Sequence, residues 1–192
     1  MTNPTKELRT DRSVLRRWRD GDIAPFAEMN ADPRVMEFFP DTLTTEQTTQ
    51  MIERIEQHFD TEGFGLWAVE IGGRFAGFTG LNRTSFDTPM GPHVEIGWRL
   101  ATWAWGEGHA TEAARAALHD GFTRVGVPRV FSFTTETNVR SEAVMVRIGM
   151  TRHREFDFDH PRTPGWWGQR HIVYSMSASQ RDCRVRDSRH GD

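Results

Sequence analysis

The chain has a single cysteine, Cys183, and a single tyrosine, Tyr174. One cysteine rules out an intrachain disulfide and points to a reducing compartment, so a cytoplasmic protein is expected. The charge is nearly balanced, with a formal net of -3 and a pI near 6.2. Such a chain has no general attraction for phosphate backbones or anionic lipid, so neither nucleic acid nor membrane is expected as a partner. No apolar run approaches a membrane span, and Met1 to Arg12 lacks the hydrophobic region of a signal peptide. The eight histidines show no His-x-x-x-His or His/Cys spacing, so no metal is expected. Ser141, Cys183 and the histidines form no nucleophile-base motif either, which leaves hydrolase chemistry without support.

Large apolar groups are abundant: 13 Phe and 7 Trp among 192 residues are enough for one sizeable core and too many for a disordered chain. A single domain is expected over residues 1–177. The polar stretch 178–192 mixes Arg and Asp without apolar periodicity and reads as a disordered tail.

The chain opens with a strand-like Ser13 to Trp18. Asp20 or Asp22 then suits the N-cap of a helix carrying Ile23, Phe26, Ala27 and Met29, halted at Asp32-Pro33. Thr44 and Gln47 have capping-box spacing ahead of Met51, Ile52, Ile55 and Phe59, a second helix that stops at Gly63. Gly72-Gly73 between Phe64–Ile71 and Arg74–Asn82 predicts an antiparallel hairpin. A third meander strand follows at His93–Leu100, alternating Val94, Ile96, Trp98 and Leu100 on one side. Ala110, Ala113, Ala114, Ala117, Leu118 and Phe122 give a narrow helix face; Val130–Thr135 reads as a strand, Asn138–Ile148 as a helix and His171–Met176 as a last strand. Together they predict an α/β (mixed α+β) fold, a strongly twisted mixed sheet of about six or seven strands with helices on both faces.

The segment Gly106-Glu-Gly-His-Ala-Thr111 places a glycine-rich turn before a helix, where backbone N–H groups and the helix dipole favour an anion such as pyrophosphate. Thr111 stands where a dinucleotide fingerprint needs its third glycine, and no Lys-Ser/Thr pair follows for a P-loop. On spacing alone, glycines that merely open a helix explain the segment equally well.

Several ordered motifs narrow this choice. Val94-Glu-Ile-Gly-Trp-Arg-Leu100, Trp105-Gly-Glu-Gly-His-Ala-Thr-Glu-Ala-Ala114, Asn138-Val-Arg-Ser141 and Arg147-Ile-Gly-Met150 resemble the core of the GNAT superfamily of acetyl-CoA-dependent N-acetyltransferases. The branch most resembled is that of the ribosomal-protein N-terminal acetyltransferases (RimJ/RimL-like). Leu15-Arg-Arg-Trp18, Asn30-Ala-Asp-Pro33, Gly65-Leu-Trp-Ala-Val69 and Arg170-His-Ile-Val-Tyr174 extend the likeness from about residue 9 to residue 176. The resemblance implies acetyl-CoA as cosubstrate. Ile96, Gly97, Trp98, Arg99 and Leu100 would line its pantetheine arm, and Gly106, Glu107, Gly108, His109, Ala110 and Thr111 would hold its pyrophosphate. One departure stands out: Trp103 occupies a position where the superfamily often has Gln or Arg.

The implied reaction is direct attack of a primary amine on the thioester in a ternary complex. The amine must be neutral to attack, so a base is required. Glu95 is the candidate, partly buried near Trp98 and Trp67; a cross-strand ion pair with an arginine is the plainer reading. A backbone N–H near Leu100 would stabilise the developing oxyanion. By resemblance Asn138 contacts the CoA arm and Ser141 serves the departing sulfur, while residue chemistry alone makes Asn138 an N-cap and Ser141 a first-turn residue. Tyr174 is a substitute acid or a core residue. The acceptor implied is a protein or peptide N-terminus, with a small-molecule amine or a non-catalytic acyl-CoA-binding role as alternatives. Phe38-Phe39-Pro40 and Trp166-Trp167 suit an acceptor pocket, the core or a homodimer contact. Glu155, Asp157 and Asp159 either attract a cationic amine or form a solvated face.

Overall fold

Capping and turn chemistry sets the element boundaries in the computed structural model, which describes residues 7–180. Cys183 and most of the expected tail, 181–192, lie outside the described residues. The chain divides into two compact units, Met1–Asn82 with Ile96–His119, and Arg83–Glu95 with Asp120–Asp192.

The first unit holds β1 (Glu7–Arg9), β2 (Val14–Arg16), α1 (Ile23–Ala31), α2 (Thr45–Glu62), β3 (Leu66–Ile71), nearly all of β4 (Arg74–Arg83), β5 (Val94–Leu100) from Ile96 onward, and α3 (His109–Asp120) up to His119. Its strands run in the order β1-β2-β3-β4-β5, with β1 to β4 paired antiparallel. Helix α2 begins at the expected capping box: Thr44 Oγ1 accepts from Gln47 N at 3.2 Å and Gln47 Oε1 accepts from Thr44 N at 2.8 Å. It ends at Gly63 with φ 75°. The Gly72-Gly73 hairpin forms as read, both residues at positive φ. In β4 the register slips, Val69 facing Gly77 and Glu70 facing Phe75, so Ala76 is an extra residue whose carbonyl accepts from Ala101 N at 2.9 Å.

Asp22 does something other than cap. It precedes α1 without a side-chain cap bond and instead grips Arg16 bidentately at 2.7 and 2.9 Å, while Arg16 Nε reaches Glu70 at 2.9 Å. Both Arg16 and Asp22 are buried, and the hydrogen bonds that Arg16 donates to Asp22 hold the guanidinium in its charged form. Around them Trp18, Phe26, Phe75 and Phe78 interlock, ring centroids 4.8 to 5.9 Å apart, and Trp18 Nε1 donates to the Leu66 carbonyl at 2.7 Å. Full burial of a side chain such as Phe26 contributes about 2–3 kcal/mol.

The second unit takes Val94 and Glu95 of β5, then β6 (Arg129–Thr135), α4 (Val139–Arg147), β7 (Thr151–Arg152), β8 (Phe158–Asp159) and β9 (Arg170–Ser177). Strand β6 pairs parallel with β5 at Val94–Val130 and Glu95–Phe131, and antiparallel with β9 along its length; β7 and β8 pair with β9. The turn after α3 widens to a π-helical stretch, Gly121–Val125, closed by Gly126 at φ 79°. Phe86, Phe133 and Phe158 cluster with His160 and His171, whose rings lie 5.0 Å apart. Burial, the nearby His171 and Arg162 together push the His160 pKa down to about 4.

The fold is therefore the expected mixed α/β type with a mostly antiparallel sheet. Nine strands form among the described residues, and without the two-residue β7 and β8 the number meets the upper expectation. Strands β1, β7 and β8 were not foreseen, because two or three residues carry no readable period.

Two measurements test this account. Asp22→Ala should lower the unfolding free energy by about 3–5 kcal/mol, because it strips the buried Arg16 of its main partner; a loss of less than about 0.5 kcal/mol in urea unfolding would refute it. For His160, the unfolded chain binds more protons than the folded one between the ordinary value of 6.5 and about 4. Its stabilising share is complete above pH 6.5 and is lost as pH falls toward 4. Urea midpoints should decline over that window, and less so in His160→Gln.

Candidate active site

The candidates from Ile96 to Thr111 fall in the first unit, and Glu95, Asn138 and Ser141 in the second. The glycine turn is exposed, with Gly106 at φ 83° and Gly108 at φ 81°, a conformation other residues adopt at a cost of about 1–2 kcal/mol. Arg12 fastens it: Nη1 donates to the Glu107 carbonyl at 2.8 Å, and Nε and the backbone N–H meet the two oxygens of Glu112 at 2.7 and 2.9 Å. Burial opposes the Glu112 charge, but hydrogen bonds from Thr10 and Arg12 outweigh it and hold its pKa below the usual carboxylate range.

The first-turn carboxylate of α3 is thus committed to Arg12 rather than to the helix start. The N–H groups of His109, Ala110 and Thr111 have no carbonyl partner within the helix, and His109 Nδ1 is buried without a hydrogen-bond partner. A set of N–H groups with no anion of its own fits a pyrophosphate. Trp103, in place of the common Gln or Arg, lies 39% exposed under the Arg74 guanidinium at 4.3 Å. Trp105 Nε1 donates to the Leu100 carbonyl at 2.8 Å, tying the far end of β5 to the loop.

On β5 itself Ile96 and Leu100 are buried, while Gly97, Trp98 and Arg99 are half-buried. The Gly97 carbonyl accepts from Thr79 Oγ1 at 3.0 Å. Arg99 turns toward α1: Nη1 donates to Asn30 Oδ1 at 2.7 Å, and Asn30 Nδ2 donates to Thr48 Oγ1 of α2 at 3.1 Å. The guanidinium carbon sits 4.1 Å from the Phe39 ring centroid and 5.4 Å from that of Phe78. Nε is buried without a partner, and burial pulls the Arg99 pKa down to about 10, which still leaves it charged at neutral pH. Sequence reasoning did not foresee the Arg12 clasp or the Thr48-Asn30-Arg99 chain. Asn30 did stand in a matched motif, but nothing in that motif signalled its chemistry.

In the second unit Glu95 is half-buried and opposite Phe131 in register. Asn138 caps α4: its Oδ1 accepts from Ser141 N at 3.1 Å and its Nδ2 donates to Thr134 Oγ1 at 3.1 Å. The capping reading of Asn138 is realised, with one amide hydrogen left for a further acceptor. The Ser141 hydroxyl has no hydrogen-bond partner among the described residues. Tyr174 donates to Glu142 at 2.7 Å, and burial with that carboxylate pushes its pKa up to about 12, so its proton is held. The acidic run is likewise engaged: Asp157 with Arg152 at 2.6 Å, Asp159 with Arg170 at 3.4 Å and Glu155 with His153 at 2.9 Å. Trp166 and Trp167 pack against each other with ring centroids 5.1 Å apart and planes tilted by 50°, Trp167 being 62% exposed. Among the described residues no group of three or more His, Cys, Asp or Glu is placed to hold a metal ion, and no helix is long and apolar enough to cross a membrane.

Comparison with known proteins agrees with this geometry. Residues 12–151 match the acetyltransferase (GNAT) domain. The uncharacterized protein YkkB of Bacillus subtilis is 31% identical over 77% of this chain and 87% of its own, and the uncharacterized N-acetyltransferase YnaD of the same organism is 26% identical over 84% and 92%. The structure of RimL, a ribosomal L7/L12 alpha-N-protein acetyltransferase in complex with coenzyme A, superposes with a TM-score of 0.73 at 14% identity, covering 91% of this chain and 99% of that one. The chain belongs to the GNAT family and is an acetyl-CoA-dependent acetyltransferase.

Asn138→Ala should cost about 1 kcal/mol of stability through loss of the cap, measured by urea unfolding. Asn138→Asp, which keeps the accepting oxygen, should cost less; equal losses would show that the Thr134 bond, not the cap, is what matters.

Proposed function

We propose that this protein moves the acetyl group of acetyl-CoA to a primary amine by direct attack, without an acyl-enzyme. The observation that carries the reading is the glycine turn: two positive-φ glycines open α3, and its first-turn carboxylate is drawn off by Arg12. That turn, Gly106 to Thr111, holds the pyrophosphate, and the β5 backbone from Ile96 to Leu100 lines the pantetheine arm. Bound acetyl-CoA supplies an activated thioester. Glu95 takes the proton that the attacking ammonium must shed. Ser141, with its hydroxyl uncommitted, hydrogen-bonds the departing sulfur, and Tyr174 is set aside because Glu142 holds its proton. Asn138 orients the start of α4 and offers its remaining N–H to the arm.

The acceptor is an α-amine at a protein or peptide N-terminus, a reading supported by the ribosomal-protein acetyltransferases among the structural neighbours. The nearly balanced charge and the absence of apolar spans among the described helices suit a cytoplasmic enzyme.

Calorimetric titration with acetyl-CoA should give micromolar binding that Gly108→Val weakens by about tenfold or more, since valine cannot adopt the backbone conformation that aims the amides. With an acetylated amine as readout, Glu95→Gln should lower kcat by about 10²–10⁴-fold, more than it changes acetyl-CoA affinity. Absence of acetyl-CoA binding would sink the reading, and an unchanged kcat in Glu95→Gln would remove that residue as the base.

A further inference from the structure

Arg99 carries a charge that the fold encloses without balancing it. Arg16, Arg17, Arg124 and Arg152 each meet a carboxylate, whereas Arg99 donates to the amide oxygen of Asn30. The orientation of that amide is not arbitrary: guanidinium only donates, so Oδ1 must face it, and Nδ2 is then left for Thr48. The arrangement holds the guanidinium still without neutralising it. Phe39 covers one face at 4.1 Å, and Phe78 lies 5.4 Å away. With one face under Phe39, Nε shut off and Nη1 on Asn30, the in-plane edge at Nη2 is the approach left for an acceptor, and no described residue takes it. A planar carboxylate is the anion that fits such an edge.

The position along the chain indicates which molecule brings it. Strand alternation puts Arg99 on the side of β5 that carries Gly97 and Glu95, opposite the buried Ile96 and Leu100. Gly97 presents no side chain there, and a Cβ built on it would meet nothing within 4 Å. Phe39, the cover of the stack, is 39% exposed, so the edge lies near solvent. The phosphate-binding features sit elsewhere, beyond the Thr102–Ala104 turn at Gly106 to Thr111.

We propose that Arg99 binds a carboxylate borne by the acceptor amine, so that the preferred acceptor is a free α-amino acid or a peptide with an acidic residue near its N-terminus. This rests on the acetyl-transfer reading and adds to it the charge of the acceptor. Asn30 and Phe39 are positioning residues for the guanidinium.

The test compares acid with amide in two matched pairs, leucine against leucinamide and Ser-Asp against Ser-Asn peptides, with kcat/KM as readout. One pair should show a preference for the acid of about tenfold or more, and the pair that does identifies the source of the carboxylate. Arg99→Gln, which removes the charge and keeps a polar side chain, should bring the ratio close to one, and Arg99→Lys should retain part of it; thermal melts check that both fold. Titration of wild type with the N-acetylated acids and amides of both pairs supplies a readout without turnover, and in one pair only the acid should bind measurably. Equal handling of acid and amide by wild type, or an undiminished ratio in Arg99→Gln, overturns the proposal. So does a loss of acetyl-CoA affinity in Arg99→Gln with the ratio intact. If acetyl-CoA fails to bind wild type, the acetyl-transfer reading falls, while the titrations with the N-acetylated acids and amides of both pairs still decide whether Arg99 takes a carboxylate.

Discussion

Strand β5 can lie where it does because position 77 has no side chain. A Cβ on Gly77 would stand 2.1 Å from the Arg99 carbonyl oxygen and 2.8 Å from the Leu100 Cα, closer than real contacts allow, and the residue already sits at φ 132°. Any larger residue would force β5 away from β4. The Ala76 bulge beside it turns a carbonyl to Ala101, so the same short segment both admits β5 and anchors the chain leaving it. Gly80 repeats the device on the other edge of β4, where a Cβ would meet the Gly65 carbonyl at 2.1 Å. Because the arginine on β5 reaches Asn30 at 2.7 Å, a displacement of even an ångström would break that bond. The chemistry proposed for the strand therefore depends on a backbone approach rather than on side-chain packing.

The two enclosed arginines of the first unit show what the fold does when it wants a charge neutralised and when it does not. Arg16 receives a bidentate carboxylate from Asp22 and a second one from Glu70, which offsets a desolvation penalty of several kcal/mol per ion. Arg99 receives one amide dipole and aromatic faces. A neutral hydrogen bond contributes about 1 kcal/mol net and a cation-π contact about 0.5–2 kcal/mol, less than the paired carboxylates supply to Arg16, and Arg99 is only half-buried. The same contrast sets the direction of the two pKa values: carboxylates raise that of Arg16, and burial lowers that of Arg99. A structural arginine would be expected to look like the first.

What could be read from residues alone follows from the range of the interaction concerned. The Thr44-Gln47 box, the Gly72-Gly73 turn and the Gly63 stop are contained within a few positions, and each appears as expected. Asp22 shows the limit: its local chemistry favours an N-cap, but Arg16 on β2 offers a bidentate partner in a buried setting, and the charge-assisted pair prevails. Asn138 goes the other way, since its cap to Ser141 is local and was legible from residue chemistry. The Arg12 clasp on Glu112 joins positions 100 apart, and the Asn30–Arg99 bond joins positions 69 apart; no period or motif encodes such pairs. Gly77 and Gly80 fell within an ordinary strand run, and their need for hydrogen in place of a side chain became visible only when the neighbouring strands were in place.

The clasp at Arg12 also explains how an acidic residue can sit in the first turn of the helix proposed to receive the pyrophosphate. An unpaired Glu112 would itself be favoured by the helix dipole, by about 0.3–1 kcal/mol, and would repel an incoming phosphate. Arg12 draws that carboxylate aside with a hydrogen bond from its backbone and another from its guanidinium, and the same guanidinium holds the Glu107 carbonyl in the middle of the turn. One residue from the β1–β2 connection thereby sets the shape of the turn and removes its competing charge. On the proposed reading the amides of His109, Ala110 and Thr111 hold the pyrophosphate by backbone geometry alone, so that no phosphate-binding side chain is needed at Trp103.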